Sequence, residues 1–391
     1  MALNFSFSED QVLTRKMVRE FFEREIAPKA ALWDRSREFP HECILKMADM
    51  GLMGLYAPKE YGGQDIDNVT AGIIHEEIGR VDCNCGVILY VHNNAVMLIS
   101  RIASKSLKDE WLEKLVKCKR KIGLALTEPG YGSDFASITT KAERRGEHYI
   151  INGEKSYITG AAPGGLDLFI VFVKTGPIEA GHKAISALLV NLDSEGIERY
   201  EIEDMGLRGS KFGGLRFNNA KVPIGNIIGE ENRGFYYIME HFNPGRVLWT
   251  LVALGAAEKA LELTIEYAKQ RKVFGKPLAK FEEIQFRIAR NYMNIEAAKL
   301  LCYKALWLAD KGETRELIKI HAMAKWLGVE AAIKAIDDSM QIHGAIGYTV
   351  EYPLERMYRD VRGFGWADGS IEIMKIITAR EILGREYLPY R

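Results

Sequence analysis

The chain has 391 residues, enough for two or three domains with cores of their own, and its 47% hydrophobic and 27% charged residues are ordinary globular composition. Lys+Arg and Asp+Glu balance at 53 each, which leaves no bulk charge for nucleic acid or an anionic membrane. The cysteines (Cys43, Cys83, Cys85, Cys118, Cys302) fit neither a disulfide framework nor a metal-site spacing, and the histidines are dispersed, so free thiols and a metal-free protein are expected.

The start, MALNFSFSEDQ, has neither a basic leader nor an apolar core, so secretion is not expected and a cytoplasmic location is. Ser8-Glu9-Asp10-Gln11 reads as a capping box ahead of Val12, Leu13, Met17, Phe21, Phe22 and Ile26 at helical spacing. A second helix should follow Pro40 and stop at Gly51, and others should cover 70–79, 86–100 and 106–118. The 86–100 run is apolar on most sides but broken by His92, Asn93 and Asn94, so it reads as a buried helix rather than a membrane span.

At Lys121 the period changes. Strands are expected over 122–126, 148–151, 155–159, 168–173 and 184–189, with shorter ones to Val222, a hairpin tip at 145–147 and a turn at Asn152-Gly153. Strands without intervening helices point to a small antiparallel barrel or sandwich. From Arg233 the helical period returns: 234–271 with a kink at Pro244-Gly245, then 281–310, 314–342 and 370–383, read as an antiparallel bundle. The fold class is therefore α+β, with a helical domain over 1–120, a β domain over 121–233 and a C-terminal helix bundle over 234–391.

Four stretches carry candidate chemistry. The loop LTEPGYGSD (126–134) sets Thr127 and Ser133 hydroxyls beside Gly130 and Gly132, a backbone-rich cradle for a polar ring edge or a phosphate-bearing ligand, although glycine loops are often plain turns. Tyr157-Ile158-Thr159 pairs an aromatic with a hydroxyl and reads equally well as an ordinary strand. Arg271-Lys272-Val273-Phe274-Gly275 joins two bundle helices with a basic and aromatic pair suited to a pyrophosphate and a base; dipole compensation explains the cations as well. The fourth, 341–373, holds a glycine turn after Gln341, a helix start at Tyr352-Pro353, and the lone acid Asp368 in FGWADGS. On that stretch alone, Asp368 reads as the cap of the helix beginning near Ser370.

Together these stretches resemble the acyl-CoA dehydrogenase flavoproteins. LTEPGYGSD and QIHGAIGYTVEYPLERMYRD match that family's two signatures, with INGEKSYITGA and RKVFGKPLAKFEEIQF between them in family order, and the resemblance runs essentially the length of the chain. It implies a helical N-terminal domain, a central β-barrel and a C-terminal four-helix bundle. It also implies FAD, an acyl-CoA substrate, a homotetramer built as a dimer of dimers, and an electron-transferring flavoprotein as acceptor. Carried over, Leu126, Thr127, Tyr157 and Thr159 would line the flavin ring, and Ser133 would touch flavin phosphate or pantetheine. Arg271 and Phe274 would hold the FAD pyrophosphate and adenine side from the neighbouring subunit, with Gln341 and Gly344, while Ser370 would reach FAD where relatives use Thr. Arg246, at the start of the substrate-lining helix, Asn243 and Gly369 would serve the substrate.

The implied reaction needs a base for the α-proton while the β-hydrogen leaves as hydride. The family's usual catalytic Glu falls here on Asp368, and the alternative base position of some relatives falls on Gly245. Asn243, Val273, Glu282 and Ala345 also depart from the family pattern. Asp is shorter than Glu by one C–C bond, roughly 1.5 Å. Ala367, where relatives often carry Tyr, opens space beside the acid, so the departure points to a substrate bulky near Cα, branched or alicyclic. Two other readings fit an Asp base: a nitroalkane-oxidase-like activity, and a non-catalytic flavin-binding paralogue.

Overall fold

The computed structural model describes residues 6–388. The helices before the sheet are α1 (Glu9–Glu25), α2 (Ala27–Ser36), α3 (His41–Asp49), α4 (Asn68–Gly79), α5 (Cys83–Ile102) and α6 (Lys105–Val116). The strands are β1 (Ile122–Ala125), β2 (Lys141–Arg145), β3 (His148–Ile158), β4 (Leu168–Lys174), β5 (Ile185–Asn191), β6 (Ile197–Glu201) and β7 (Gly213–Pro223). Then come α7 (Gly234–Gln270), the short hairpin β8 (Lys272–Val273) and β9 (Lys276–Pro277), α8 (Glu282–Asp310), α9 (Thr314–His343), α10 (Leu354–Arg362) and α11 (Ile371–Leu383). N-terminal helices, a central curled sheet and a C-terminal helical bundle follow one another as the sequence indicates.

Local chemistry explains most boundaries. The capping box forms in full: Gln11 N donates to Ser8 Oγ at 3.2 Å and Ser8 N donates to Gln11 Oε1 at 3.1 Å. The periodicity did not separate α2 from α1; Pro28 lies in its first turn, where a missing N–H breaks no helical bond. The turn signal at Asn152-Gly153 is a bulge instead, where the register against β7 shifts and Gly153 adopts φ 140, so two expected strands merge into β3. The chain divides into two compact units, residues 1–34, 67–86 and 246–391 in one and 35–66 and 87–245 in the other.

In the first, the bundle unit, α8 lies along α9, α10 and α11 pack on α9, and α4 packs on both α1 and α8. Leu251, Leu254, Leu306, Val329 and Ile336 are fully buried there. Close approach is built in at Gly328, where a Cβ would sit 2.4 Å from Thr250 Cγ2. The stretch EYPLERMYRD has a structural duty in this unit: the Arg359 guanidinium donates to Asp34 at 2.9 and 2.7 Å and to Glu355 at 2.7 and 3.0 Å.

In the second, the sheet unit, strands run in the order β1-β4-β2-β3-β7-β6, with β5 added on β4. Most pairs are antiparallel, whereas β1 pairs in parallel with β4, and β2 meets β4 in parallel through Lys141 and Lys174. Phe135, Ile170, Phe172, Leu189, Ile238 and Phe242 belong to one core with residues of α5 and α6. Among the described residues α5 is long and apolar enough to cross a membrane by length and composition, yet 78% of that stretch is buried within the protein. Its polar interruptions have structural partners. His92 lies 3.1 Å from Leu115 O and takes Ile122 N at 3.3 Å, and Asn93 bridges Leu55 N and Leu52 O at 2.9 Å each.

Candidate active site

The loop joining α10 to α11 carries Asp368 in a left-handed backbone, φ 53, followed by Gly369 at φ 90. Glycine accepts that conformation freely; for an L-residue it costs about 1–2 kcal/mol. The helix cap expected at Asp368 falls on Ser370 instead, whose Oγ accepts from Ile373 N at 3.4 Å. The N-cap position is thus filled by Ser370, and the Asp368 backbone is held by other groups.

That hold comes from cations of α7 and α9. Arg246 Nε donates to Asp368 O at 2.8 Å, and Lys325 Nζ donates to Gly369 O at 2.7 Å and to Ala367 O. Three consecutive carbonyls are gripped by charged donors, each bond worth about 1.5–3 kcal/mol, which exceeds the backbone strain. Arg246 is positioned in turn by His321, whose Nε2 lies 3.2 Å from Arg246 Nη1 and whose Nδ1 lies 3.0 Å from Leu317 O. Nδ1 must carry the proton that goes to the carbonyl, so Nε2 accepts from the guanidinium. Burial, reinforced by Arg246, drives the imidazole down to about 3, keeping it neutral for that task. Burial likewise drives the Lys325 ammonium down to about 7, with the Asp368 charge opposing and Arg246 assisting.

Neither His321 nor Lys325 stands out in the sequence. The signal available was a polar pair four residues apart on the apolar face of α9, among Leu317, Ile320, Ala324 and Gly328, all of them buried. A glutamate at the alternative base position has no such support. The Cβ of any residue at Gly245 would lie 3.0 Å from Tyr90 Oη and 3.2 Å from Asn94 Oδ1, tighter than ordinary contact.

In the sheet unit, LTEPGYGSD leaves the end of β1 and is pinned by Glu128. Buried Glu128 accepts from Lys155 Nζ at 2.9 Å, from Thr139 N at 2.7 Å and Thr139 Oγ1 at 2.9 Å, and from Thr140 N at 2.9 Å. Burial favours the neutral acid, but Lys155 and these donors outweigh it and hold the carboxyl down to about 2. Lys155 also donates to Leu126 O at 2.8 Å, and Ser156 N donates to Thr127 O at 2.9 Å. The structure therefore brings Leu126 and Thr127 beside the segment of Tyr157 and Thr159. Tyr157 has φ 61 and is 49% exposed, while Leu126, Thr127 and Thr159 are half-buried and Ser133 is exposed. A Cβ at Gly130 or Gly132 would meet nothing within 4 Å, so this face is open. Backbone groups, hydroxyls and an aromatic on one open face fit the edge of a flavin ring. Glu128 and Lys155 do not stand out in the sequence; an acid beside Pro129 and a lysine inside a strand are the only signal.

The other candidate FAD contacts lie on the bundle unit. Phe274 tops the β8–β9 hairpin and is 96% exposed, with Arg271 exposed at its base. Arg271 N donates to Tyr267 O at 2.8 Å, and the Tyr267 ring stacks on His343 at 4.3 Å, which ties the hairpin to the exposed turn of Gln341 and Gly344. A Cβ at Gly275 or Gly344 would also meet nothing within 4 Å, leaving this face clear for a ligand or a neighbouring chain. Asn243 lies buried within α7, in the sheet unit.

Three domain models match the chain: "Acyl-CoA dehydrogenase, N-terminal domain" over residues 8–119, the middle domain over 123–220 and the C-terminal domain over 232–383. Over 378 residues the chain is 35% identical to the cyclohex-1-ene-1-carbonyl-CoA dehydrogenase of Syntrophus aciditrophicus, covering 96% of this chain and 90% of that one. It is 36% identical over 384 residues to subunit CarC of the caffeyl-CoA reductase–Etf complex of Acetobacterium woodii, covering 96% and 99%. The solved butyryl-CoA dehydrogenase of Megasphaera elsdenii is similar with a TM-score of 0.92 at 30% identity, covering 97% of this chain and all of that one.

Proposed function

We propose the reaction from one premise: the chain belongs to the acyl-CoA dehydrogenase family, FAD-dependent oxidoreductases of acyl-CoA thioesters. In our reading it forms the Cα=Cβ bond of a short, branched or alicyclic acyl-CoA, with Asp368 as the base that takes the α-proton. When bound, FAD would supply the acceptor, at N5, for the β-hydrogen leaving with its electron pair. The domains of 1–120, 121–233 and 234–391 share this work.

The observation that carries the reading is the grip on Asp368. A carboxylate in a costly backbone state, whose own and flanking carbonyls are all held by buried cations, is a placed group rather than a surface acid. In this reading the backbone N–H of Asp368 serves as a donor to the thioester oxygen, where enolate charge gathers as the proton leaves. Leu126, Thr127, Tyr157, Thr159 and Ser133 orient the flavin edge, Ser370 adds a hydroxyl, and Arg271, Phe274, Gln341 and Gly344 serve the adenine and pyrophosphate side of a neighbouring subunit's FAD. Asn243 and Gly369 bear on the thioester, and Arg246 acts on it through the Asp368 backbone.

The shorter acid, together with Ala367, favours a substrate whose α-carbon comes closer, in keeping with a relative named for a cyclohexene thioester. The relative from an Etf complex supports an electron-transferring flavoprotein as redox partner. Exposed Phe286, Tyr292, Met293 and Leu300 on α8, between 57% and 60% exposed, support a homotetramer.

Anaerobic bleaching of the flavin tests the assignment. Isobutyryl-, 2-methylbutyryl- or cyclohexanecarboxyl-CoA should bleach the holoenzyme faster than butyryl- or octanoyl-CoA. Asp368→Asn should keep its FAD and slow bleaching by about 10²–10⁴-fold, the usual span of general-base catalysis. Faster straight-chain substrates would reject the substrate class, and unslowed bleaching in Asp368→Asn would reject the base. Oxygen uptake with nitroethane, without bleaching by any thioester, would favour a nitroalkane oxidase.

A further inference from the structure

Lys325 is a fully buried lysine whose ammonium is committed to the main chain of the loop that bears the base. It donates to the carbonyls before and after Asp368, while Arg246 donates to the carbonyl of Asp368 itself at 2.8 Å. The charged groups around it are Asp368 on the loop, Arg246 on α7, and His321 one turn earlier on α9, which in turn senses Arg380 of α11.

We propose that Lys325 is the positioning residue for Asp368. By fixing the Ala367 and Gly369 carbonyls it holds the left-handed backbone that presents the shorter carboxylate in register with the substrate α-carbon. This rests on the reading of Asp368 as the base. The physical case is that an aspartate at φ 53 does not stay there unaided, and that a shorter acid has less reach with which to absorb a displaced backbone. The same two carbonyls could not be held by an apolar side chain of Lys325's length, so the contribution is separable from packing. Arg246 fixes one point of the loop; Lys325, by spanning the residues on either side, fixes its orientation about that point.

The test uses the FAD-loaded enzyme with Lys325→Met and Lys325→Arg, read by amide hydrogen exchange of peptides covering 364–371 and by anaerobic bleaching with cyclohexanecarboxyl-CoA and isobutyryl-CoA. Lys325→Met should retain FAD, exchange the loop amides at least about tenfold faster, and bleach about a hundredfold more slowly, as expected for a displacement near 1 Å. Half-saturation by thioester should stay within about threefold, and Lys325→Arg, which keeps the charge, should fall between the two. A lysine that served packing alone would lower stability and leave loop exchange and bleaching close to wild type; that result overturns the proposal. Should Lys325→Met fail to hold FAD, Lys325→Gln takes its place, which keeps a polar side chain at the site but can reach at most one of the two carbonyls; loop exchange and bleaching close to wild type in that variant overturn the proposal. If no acyl-CoA bleaches the wild type, the acyl-CoA reading fails, while the exchange data still decide whether Lys325 holds the loop.

Discussion

Replacing Glu128 by glutamine removes the charge that pins the LTEPGYGSD loop without changing its shape. Glu128 is 3% exposed and its partner Lys155 is fully buried, at 2.9 Å, so the variant leaves a buried ammonium without its counter-charge. Breaking such a pair from one side costs about 3–5 kcal/mol. Linkage gives a similar figure by another route. Holding a carboxyl at about 2 instead of 4.5 is worth about 3 kcal/mol at neutral pH, at about 1.4 kcal/mol per pH unit. The folded-state value is the depressed one, so this stability is complete above about 4.5 and is lost as pH falls towards about 2. Urea unfolding of wild type and Glu128→Gln at matched FAD should therefore differ by about 3–5 kcal/mol at pH 7, with the gap closing between pH 5 and pH 2.5. Lys155 also donates to Leu126 O, so the variant should release FAD more readily on dilution. A gap below about 1 kcal/mol at pH 7, or one that does not change with pH, would refute the account of the loop.

Two further outcomes follow from packing. In the background of Asp368→Ala, adding Gly245→Glu should not restore flavin bleaching, because the new Cβ meets Tyr90 Oη at 3.0 Å and Asn94 Oδ1 at 3.2 Å; recovery above about a tenth of wild type would show that this site opens. Phe274→Ser should leave the unfolding midpoint unchanged within about 0.5 kcal/mol, since the ring is 96% exposed, yet lower FAD retention and weaken assembly in size-exclusion chromatography. Full FAD content in an unchanged oligomer would remove Phe274 from the cofactor site.

The sequence discloses what periodicity and local chemistry determine, and little that depends on distant partners. The capping box, the hairpin at Arg145-Gly146-Glu147 and the long bundle helices are local, and each forms as its residues suggest. β2 was not separately visible because KAERR buries only Ala142; an exposed charged strand has no apolar alternation to read. The parallel pairing of β1 with β4 joins segments whose residues say nothing about direction.

Asp368 shows the same limit at the site. Its neighbours Gly369 and Ser370 are a sensible helix start, and read locally they made it a cap. What decides otherwise is Lys325, bonded across 42 and 44 residues of sequence, and Arg246, across 122. In the sequence these are a lysine in an apolar helix and an arginine after Pro244-Gly245, each explicable alone. Their convergence on three adjacent carbonyls is a tertiary fact, and it changes what the Asp-for-Glu difference means. A shorter acid on a mobile loop would be a weakened base. A shorter acid on a loop held at both flanks is a defined geometry, which is what the proposed branched or alicyclic substrate would require.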